Sequence, residues 1–146
     1  MSIKLQMEQK PDYLAATFSG VGEAKEVWRQ FKLIAEHCRR AKGDKLLIDI
    51  SRAEGELSVI EKFLAAEESQ IFARYGIKVA FIEKPERMDP RKFFLLAARN
   101  RGVKVEAVTD WQAAEEWLLR LLSEVAAQRP AVSPPPRQSK PSALEN

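Results

Sequence analysis

The spacing of apolar residues changes repeatedly between the two periods that distinguish β-strands from α-helices. Ile3, Leu5 and Met7 alternate with polar residues, the turn Lys10-Pro11-Asp12 follows, and residues 13–18 resume as a second strand. The chain is therefore predicted to begin with a β-hairpin. Three further buried strands are predicted at residues 45–50, 77–82 and 103–108.

Four helices are predicted between and after these strands, because apolar residues there recur with the helical period. Their predicted ranges are residues 23–42, 58–75, 89–101 and 109–125. The residues expected to face the core are Val27, Phe31, Ile34 and Cys38 in the first helix, Ile60, Phe63, Leu64 and Ile71 in the second, and Trp111, Ala114, Leu118, Leu121 and Val125 in the fourth.

Short signals at the ends of these helices support the assignment. Gly43, Gly76 and Gly102 follow the first three helices, where a left-handed residue commonly ends a helix. The pair Asp89-Pro90 is expected to open the third helix with a side-chain cap. Thr109 is expected to cap the fourth helix, with Gln112 at the reciprocal capping position.

The resulting order ββαβαβαβα predicts an α/β protein with a layered sheet of about five strands and helices packed on it. The last three strands each follow a helix and should lie parallel. We expect residues 1–127 to form this domain. Residues 128–146 hold five of the eight prolines and no aromatic residue, so they are expected to be a disordered tail.

Composition limits the environment and the partners. No segment is apolar enough to span a membrane, and the N-terminus has no apolar signal-peptide region, so a cytoplasmic protein is expected. The single cysteine, Cys38, agrees with a reducing compartment. Of the net charge of +3, residues 128–146 carry three basic residues and one acid. The nearly neutral remainder gives no argument for nucleic acid binding.

Polar residues that follow the predicted strands mark the edge where ligands of parallel α/β sheets bind. Asp49, Ser51 and Arg52 follow one strand, and Lys84 and Arg87 follow the next. This edge could bind an anion through its basic side chains and helix N-termini. Alternatively, its opposite charges neutralise each other.

No set of residues predicts catalysis. The only histidine, His37, lies in the middle of a predicted helix, and no serine or acid is spaced to form a hydrolytic centre with it. One histidine and one cysteine without ligand spacing also predict no metal site, and no cofactor motif is present. The chain is therefore expected not to be an enzyme, although carboxylate chemistry stays open.

Ser58 opens the second predicted helix. Together with Glu61 it has the spacing of a capping box, in which serine and glutamate each bond a backbone N–H of the other. This interpretation needs only local sequence. Ser58 is therefore first of all a helix cap.

Three segments resemble the STAS family of bacterial anti-sigma-factor antagonists, particularly its divergent sporulation-regulator-like branch. They are Leu47-Ile48-Asp49-Ile50-Ser51, Ala98-Arg99-Asn100-Arg101-Gly102-Val103, and Thr109-Asp110 with Ala114-Glu115-Glu116-Trp117-Leu118. The resemblance covers roughly residues 3–122. It implies a regulatory domain with a protein partner, either an anti-sigma-like kinase or a second copy of the chain.

The resemblance also makes Ser58 a candidate phosphoacceptor, because family switches are phosphorylated on a serine at this position. The family's Asp-Ser-Ser-Gly is replaced here by Leu57-Ser58-Val59-Ile60, which lacks both the acid and the glycine. A phosphate on the first turn of a helix would be electrostatically favourable.

The branch is related in fold to lipid-transfer modules, which gives an alternative function, the binding of a lipid or another small anionic ligand. Phe93 and Phe94 begin a segment that is apolar on more than one face, and Arg91 and Arg99 flank it. Such a helix can form an interface or contact a greasy ligand. It can equally be packed between the sheet and the last helix.

Overall fold

The computed structural model describes residues 2–55 and 57–120. The strands are β1 (Lys4–Gln9), β2 (Leu14–Val21), β3 (Lys45–Glu54), β4 (Lys78–Ile82) and β5 (Lys104–Val108). The helices are α1 (Lys25–Trp28), α2 (Phe31–Arg40), α3 (Val59–Glu68), α4 (Gln70–Arg74), α5 (Phe93–Asn100) and α6 (Trp111–Leu118). A short 3-10 helix occupies Pro85–Arg87. The predicted α/β class is confirmed.

The strand order explains why most helices lie on one face of the sheet. The strands are arranged β1-β2-β3-β4-β5, with β1 antiparallel to β2 and all other neighbours parallel. Because each parallel strand is added on the same side, right-handed connections put the crossover helices on one face. Helices α1 to α5 cover that face, and α6 packs on the other. The predicted parallel strands are confirmed, and β2 joins them.

The sheet separates two apolar clusters, as the alternation of side chains along a strand requires. On the face covered by α1 to α5, the rings of Phe31 and Phe72 are fully buried with centroids 5.2 Å apart. A smaller cluster beneath α6 includes Tyr13, Leu47 and Leu118. Burial of these apolar side chains supplies the main driving force for folding.

Two of the predicted helices are interrupted. The first is divided into α1 and α2 at Arg29 and Gln30, and the second into α3 and α4 at Ser69. The buried Ser69 hydroxyl donates to the carbonyl oxygen of Ala66 at 2.6 Å, and such a bond to the preceding turn bends a helix. After the bend, Ile71 is buried as predicted.

The inward face of α3 differs from the predicted one. Ile60, Phe63 and Leu64 are 72%, 41% and 41% exposed, so the prediction that they face the core is wrong. Ala65 and Ala66 are buried in their place. The spacing of apolar residues identifies a helix, but it does not select which of two apolar faces packs against the core. In α3 the face with small side chains packs inward.

The other predicted inward faces agree with the structure where it describes them. Phe31, Ile34 and Cys38 are buried in α2, and Ala114 and Leu118 are buried in α6. Burial also raises the pKa of the Cys38 thiol. The predicted positions of residues 121 and 125, and the predicted tail at 128–146, lie outside the described residues.

Two of the three predicted glycine stops are confirmed. Gly76 and Gly102 adopt left-handed φ angles of +67° and +87° directly after α4 and α5 end. The prediction for Gly43 is wrong, because Lys42 adopts the left-handed conformation with φ 58°. Since α2 ends at Arg40, the stop falls one residue earlier than the glycine.

The cap of the last helix is Asp110 and not Thr109 as predicted. Asp110 has an extended backbone, and its Oδ1 accepts from the backbone N–H of Ala113 at 2.8 Å. The Gln112 side chain donates to the carboxylate of Glu116. It therefore does not form the predicted reciprocal cap.

The third predicted helix begins later than expected. Lys92 adopts a left-handed conformation and α5 starts at Phe93, so Asp89 and Pro90 belong to a turn instead of the first helical turn. The Asp89 carboxylate nevertheless accepts from the N–H groups of Arg91 and Phe93 at 2.9 and 3.0 Å. The predicted capping role of Asp89 is confirmed, although the predicted start of the helix was wrong.

Candidate functional site

Strand β3 continues well past the point where β4 ends. Its pairing with β4 stops at Asp49, whereas its pairing with β2 runs on to Glu54. The backbone of residues 50–53 consequently has one side without a neighbouring strand. Buried carbonyl oxygens on that side need another donor.

Arg87 supplies these donors. Its Nη1 donates to the carbonyl oxygen of Ala53 at 2.6 Å, and its Nη2 to that of Ile50 at 2.9 Å. The same Nη2 lies 2.8 Å from a carboxylate oxygen of Glu83. Burial raises the pKa of Glu83, although the Lys84 N–H and Arg87 both favour its ionised form. Arg87 therefore acts as a clamp on the end of β3.

Asp49 lies on the opposite face of the sheet, beneath α6. It is 4% exposed. Its Oδ1 accepts from the backbone and hydroxyl of Ser51 at 2.9 and 2.6 Å, and its Oδ2 accepts from the indole N–H of Trp111 at 3.0 Å. The Oδ1 contacts thus stay within β3, and the Oδ2 contact attaches α6 to β3. Asp49 and Arg87, predicted to share one edge, face different sides of the sheet.

The remaining charged candidates lie near the surface. Arg52 is exposed in β3, and Lys84 pairs with Glu54 at 3.1 Å. This pair and the Arg87–Glu83 pair show opposite charges meeting at the predicted edge. The role of this edge in binding stays a prediction.

Of the candidates around α5, the two arginines are exposed and the two phenylalanines are partly buried. Arg91 is exposed, and Arg99 donates to the carbonyl oxygen of Val105 and pairs with Glu106 at 3.1 Å. Phe94 packs edge-on against the buried ring of Phe81, with centroids 5.2 Å apart, and Phe93 contacts the Phe63 ring. The role of Arg91, Phe93, Phe94 and Arg99 as an interface stays a prediction.

A pocket of about 410 Å³ opens where β3 and β4 end, between α1, α3 and α5. We call it the carboxyl-end pocket. Most of its lining side chains are apolar, among them Val27, Phe81 and Leu95. Its volume lies within the range of known small-molecule sites. Among the sequence candidates Arg87 and Phe94 line it, and Asp49, Ser51 and Ser58 do not.

One lining residue, Trp28, was missed by sequence reasoning. Trp28 carries a buried indole N–H, and Arg87 a buried Nε–H, and neither finds an acceptor among the described residues. A lone tryptophan in a short helix gives no sequence signal of this kind. Buried donors normally have a partner, so these two are exceptions within the walls of the pocket.

Asp89 and Lys62 form an ion pair of 3.0 Å at the same pocket. Desolvation alone would raise the pKa of Asp89, but the hydrogen bonds from Lys62 and the N–H groups of Phe93 and Arg91 outweigh it, so the pKa is lowered. The pair connects α3 to the turn that precedes α5.

We expect Asp89→Asn to lower the free energy of unfolding by about 1–2 kcal/mol at neutral pH. Because the folded pKa is below the unfolded value, ionised Asp89 stabilises the protein above that unfolded value, near pH 4. The contribution is lost as the pH falls through the folded pKa. Urea unfolding from pH 7 to pH 3 should therefore show wild type and variant converging. Asp44→Asn, at an exposed ion pair with Lys45, is the control, and a constant difference down to pH 3 would contradict the assignment.

Ser58 forms the predicted capping box. Its Oγ accepts from the N–H of Glu61 at 3.1 Å, and its own N–H donates to the Glu61 carboxylate at 3.0 Å. The capping prediction is confirmed. Ser58 is itself exposed, and its role as a phosphoacceptor stays a prediction.

An exposed apolar surface follows this cap directly. It consists of Val59, Ile60, Phe63 and Leu64 on one side of α3, together with Leu96 of α5. We call it the α3 apolar face. The ring contact between Phe63 and Phe93, one turn before Leu96, joins its two parts.

The structure describes little that fits hydrolytic or metal chemistry. His37 is exposed and Cys38 is buried in the neighbouring position. Within residues 2–55 and 57–120, no three His, Cys, Asp or Glu side chains are grouped so that they could hold a metal ion. In the same ranges, no helix combines the length and apolarity needed to cross a membrane.

Comparison with solved structures identifies the fold. An uncharacterised protein of the DUF3478 family with a SpoIIAA-like fold, from Shewanella loihica, is 21% identical with a TM-score of 0.50, and the match covers 80% of this chain and 93% of that one. An anti-sigma factor antagonist from Mycobacterium paratuberculosis is 12% identical with a TM-score of 0.54, covering 80% and 94%. Neither protein-family models nor curated proteins match the chain.

The chain therefore has a SpoIIAA-like fold, the fold of STAS domains. The resemblance inferred from the strand around Asp49 and from the last helix is confirmed at this level.

Proposed function

We propose that the chain is a non-enzymatic regulatory domain that binds another protein through the α3 apolar face. The observation that carries this proposal is the exposure of four large apolar side chains on consecutive turns of one helix. Apolar patches of this kind commonly mark interaction sites. A solved protein that shares the fold is an anti-sigma factor antagonist, which supports a protein as the partner.

The charges around the face indicate the chemistry of that partner. Glu61, Glu67 and Glu68 lie on the same helix, and Glu67 and Glu68 are exposed. The complementary surface is an apolar centre with basic residues at its rim. An anti-sigma-like kinase with such a surface is the partner that we propose.

Ser58 gives this interface a switch. A phosphate on its Oγ would add about 1.5–2 negative charges at the start of α3, beside Val59 and Ile60. It would also displace the Glu61 carboxylate, which lies 3.0 Å from the Ser58 nitrogen. Charge next to a surface that must lose its water on docking opposes binding. Phosphorylation should therefore release the partner.

Substitutions on the face test the proposal directly. A photo-crosslinking residue at position 67 identifies the partner, and binding of the purified partner is then measured by calorimetry. Ile60→Asp and Phe63→Asp should each weaken binding at least tenfold, because a charge replaces an apolar contact at the centre of the interface. Leu33→Asp, at an exposed leucine of α2, should bind like wild type.

The switch is tested with Ser58→Ala and Ser58→Asp. Alanine should bind the partner normally and lose about 1 kcal/mol of stability, whereas aspartate, itself a good cap, should keep stability and weaken binding. Equal binding by both variants excludes the switch. Equal binding by Ile60→Asp and wild type excludes the interface, and a wild-type dimer abolished by Ile60→Asp would show that a second copy occupies the face.

A further inference from the structure

The carboxyl-end pocket has features of a binding site that the α3 apolar face does not explain. It opens at the ends of the parallel strands β3 and β4, and its walls come from α1, α3 and α5. Ligands of open α/β sheets bind at this end of the strands. At about 410 Å³ the pocket is also much larger than a packing defect.

One wall is held in place by close backbone contacts. A Cβ atom on Gly55 would lie 2.8 Å from the carbonyl oxygen of Gly22, so the two loops approach as closely as glycine permits. The N–H of Ile3 and that of Glu23 both donate to the Glu26 carboxylate, at 3.0 and 2.7 Å. These contacts fix α1, and with it Trp28, over the pocket.

The walls of the pocket are mostly apolar, and two lining residues carry donors that are closed off from the cavity. The Trp28 indole N–H and the Arg87 Nε–H are buried without a partner among the described residues, so a ligand in the cavity does not reach them. The apolar walls require most of the ligand to be apolar.

The charges at the pocket favour an anionic acceptor. Each acid that lines it already has a basic partner, the pairs being Lys62–Asp89, Arg87–Glu83 and Arg99–Glu106. Lys92 also lines the pocket, and no ion pair joins it to an acid within the described ranges. It is therefore the cation left to meet a ligand charge.

We propose that the carboxyl-end pocket binds an amphipathic monocarboxylate of the fatty-acid type. Its apolar chain occupies the space between α1, α3 and α5, and its carboxylate meets the exposed ammonium group of Lys92. This proposal rests on the pocket alone. It stands or falls independently of the α3 apolar face.

Calorimetry with the full chain and three probes of equal chain length tests the head group. Decanoate should saturate a single site, whereas methyl decanoate and decanol, which lack the charge, should bind at least tenfold more weakly. Native mass spectrometry of freshly purified protein should show a retained carboxylate mass. Absence of saturable decanoate binding, or equal binding of all three probes, overturns the proposal.

Variants test the location. Lys92→Gln removes the charge at an exposed position, so decanoate affinity should fall about tenfold while the melting temperature is unchanged. Ala24→Leu reduces the pocket volume and should weaken all binding; it decides the question if Lys92→Gln fails to fold. Lys42→Gln, at an exposed lysine with the same left-handed backbone, and Ala113→Leu, on α6 across the sheet, are matched controls. Equal loss in variants and controls would overturn the assignment to this pocket.

Discussion

Replacing Arg87 by alanine should lower the free energy of unfolding by about 3–4 kcal/mol, the lower part of the range found when one partner of a buried ion pair is removed, because the Arg87 and Glu83 side chains are still 23% and 17% exposed. The guanidinium donates to carbonyl oxygens of β3 that no strand pairs, and it neutralises Glu83. Without it, both the carbonyl groups and the carboxylate are left without their donor. Urea unfolding followed by circular dichroism measures the loss.

Two further variants separate the causes of this effect. Arg87→Lys keeps the charge but not the planar fork that reaches several oxygens at once, so it should recover less than half of the lost stability. Adding Glu83→Gln to Arg87→Ala should recover part of it by removing the uncompensated charge. Arg91→Ala, at an exposed arginine in the following loop, should change stability by less than about 0.5 kcal/mol. An equally small effect at Arg87 would contradict the clamp.

Asp49→Ala should have the second largest effect, a loss of about 2–4 kcal/mol, because hydrogen bonds to a buried carboxylate are strong and their donors would be left unpaired. The substitution should mainly weaken the packing of α6 on β3, because the Asp49 carboxylate accepts a hydrogen bond from Trp111. A double-mutant cycle with Trp111→Phe isolates this contact.

We expect a coupling energy above about 1 kcal/mol between Asp49 and Trp111 in that cycle. Asp44→Ala, at an exposed aspartate, is the control and should be nearly neutral. Asp49→Ala protein that remains folded should bind both a protein partner and decanoate like wild type. A normal stability combined with lost binding would instead make Asp49 a binding residue.

Much of the fold could be predicted because its strands and helices carry strong periodic patterns. The end of β3 could not. The apolar pattern stops at Ile50, yet the strand continues to Glu54 because β2 pairs with it on one side and Arg87 on the other. That support comes from distant residues, and local sequence does not reveal it.

For the candidate site, the sequence indicates which residues follow the strands but not which face of the sheet each one occupies. The strand-end residues Asp49 and Arg87 were expected to meet, but the alternation of side chains sends Asp49 to the face under α6. Trp28 was missed because its importance comes from the pocket around it. Ile60 was assigned to the core because large apolar residues are usually buried, whereas in α3 alanines pack inward.

Helix α3 faces both of the proposed sites at once. Lys62 and Ala65 line the carboxyl-end pocket, while Ile60 and Leu64 are exposed on the same ten-residue helix. If filling the pocket shifts α3 and thereby changes the affinity of the outer face, thermodynamic reciprocity requires a docked protein to change the ligand's affinity by the same factor. Binding of a carboxylate in the pocket and docking of a protein on the α3 apolar face would then be two coupled equilibria.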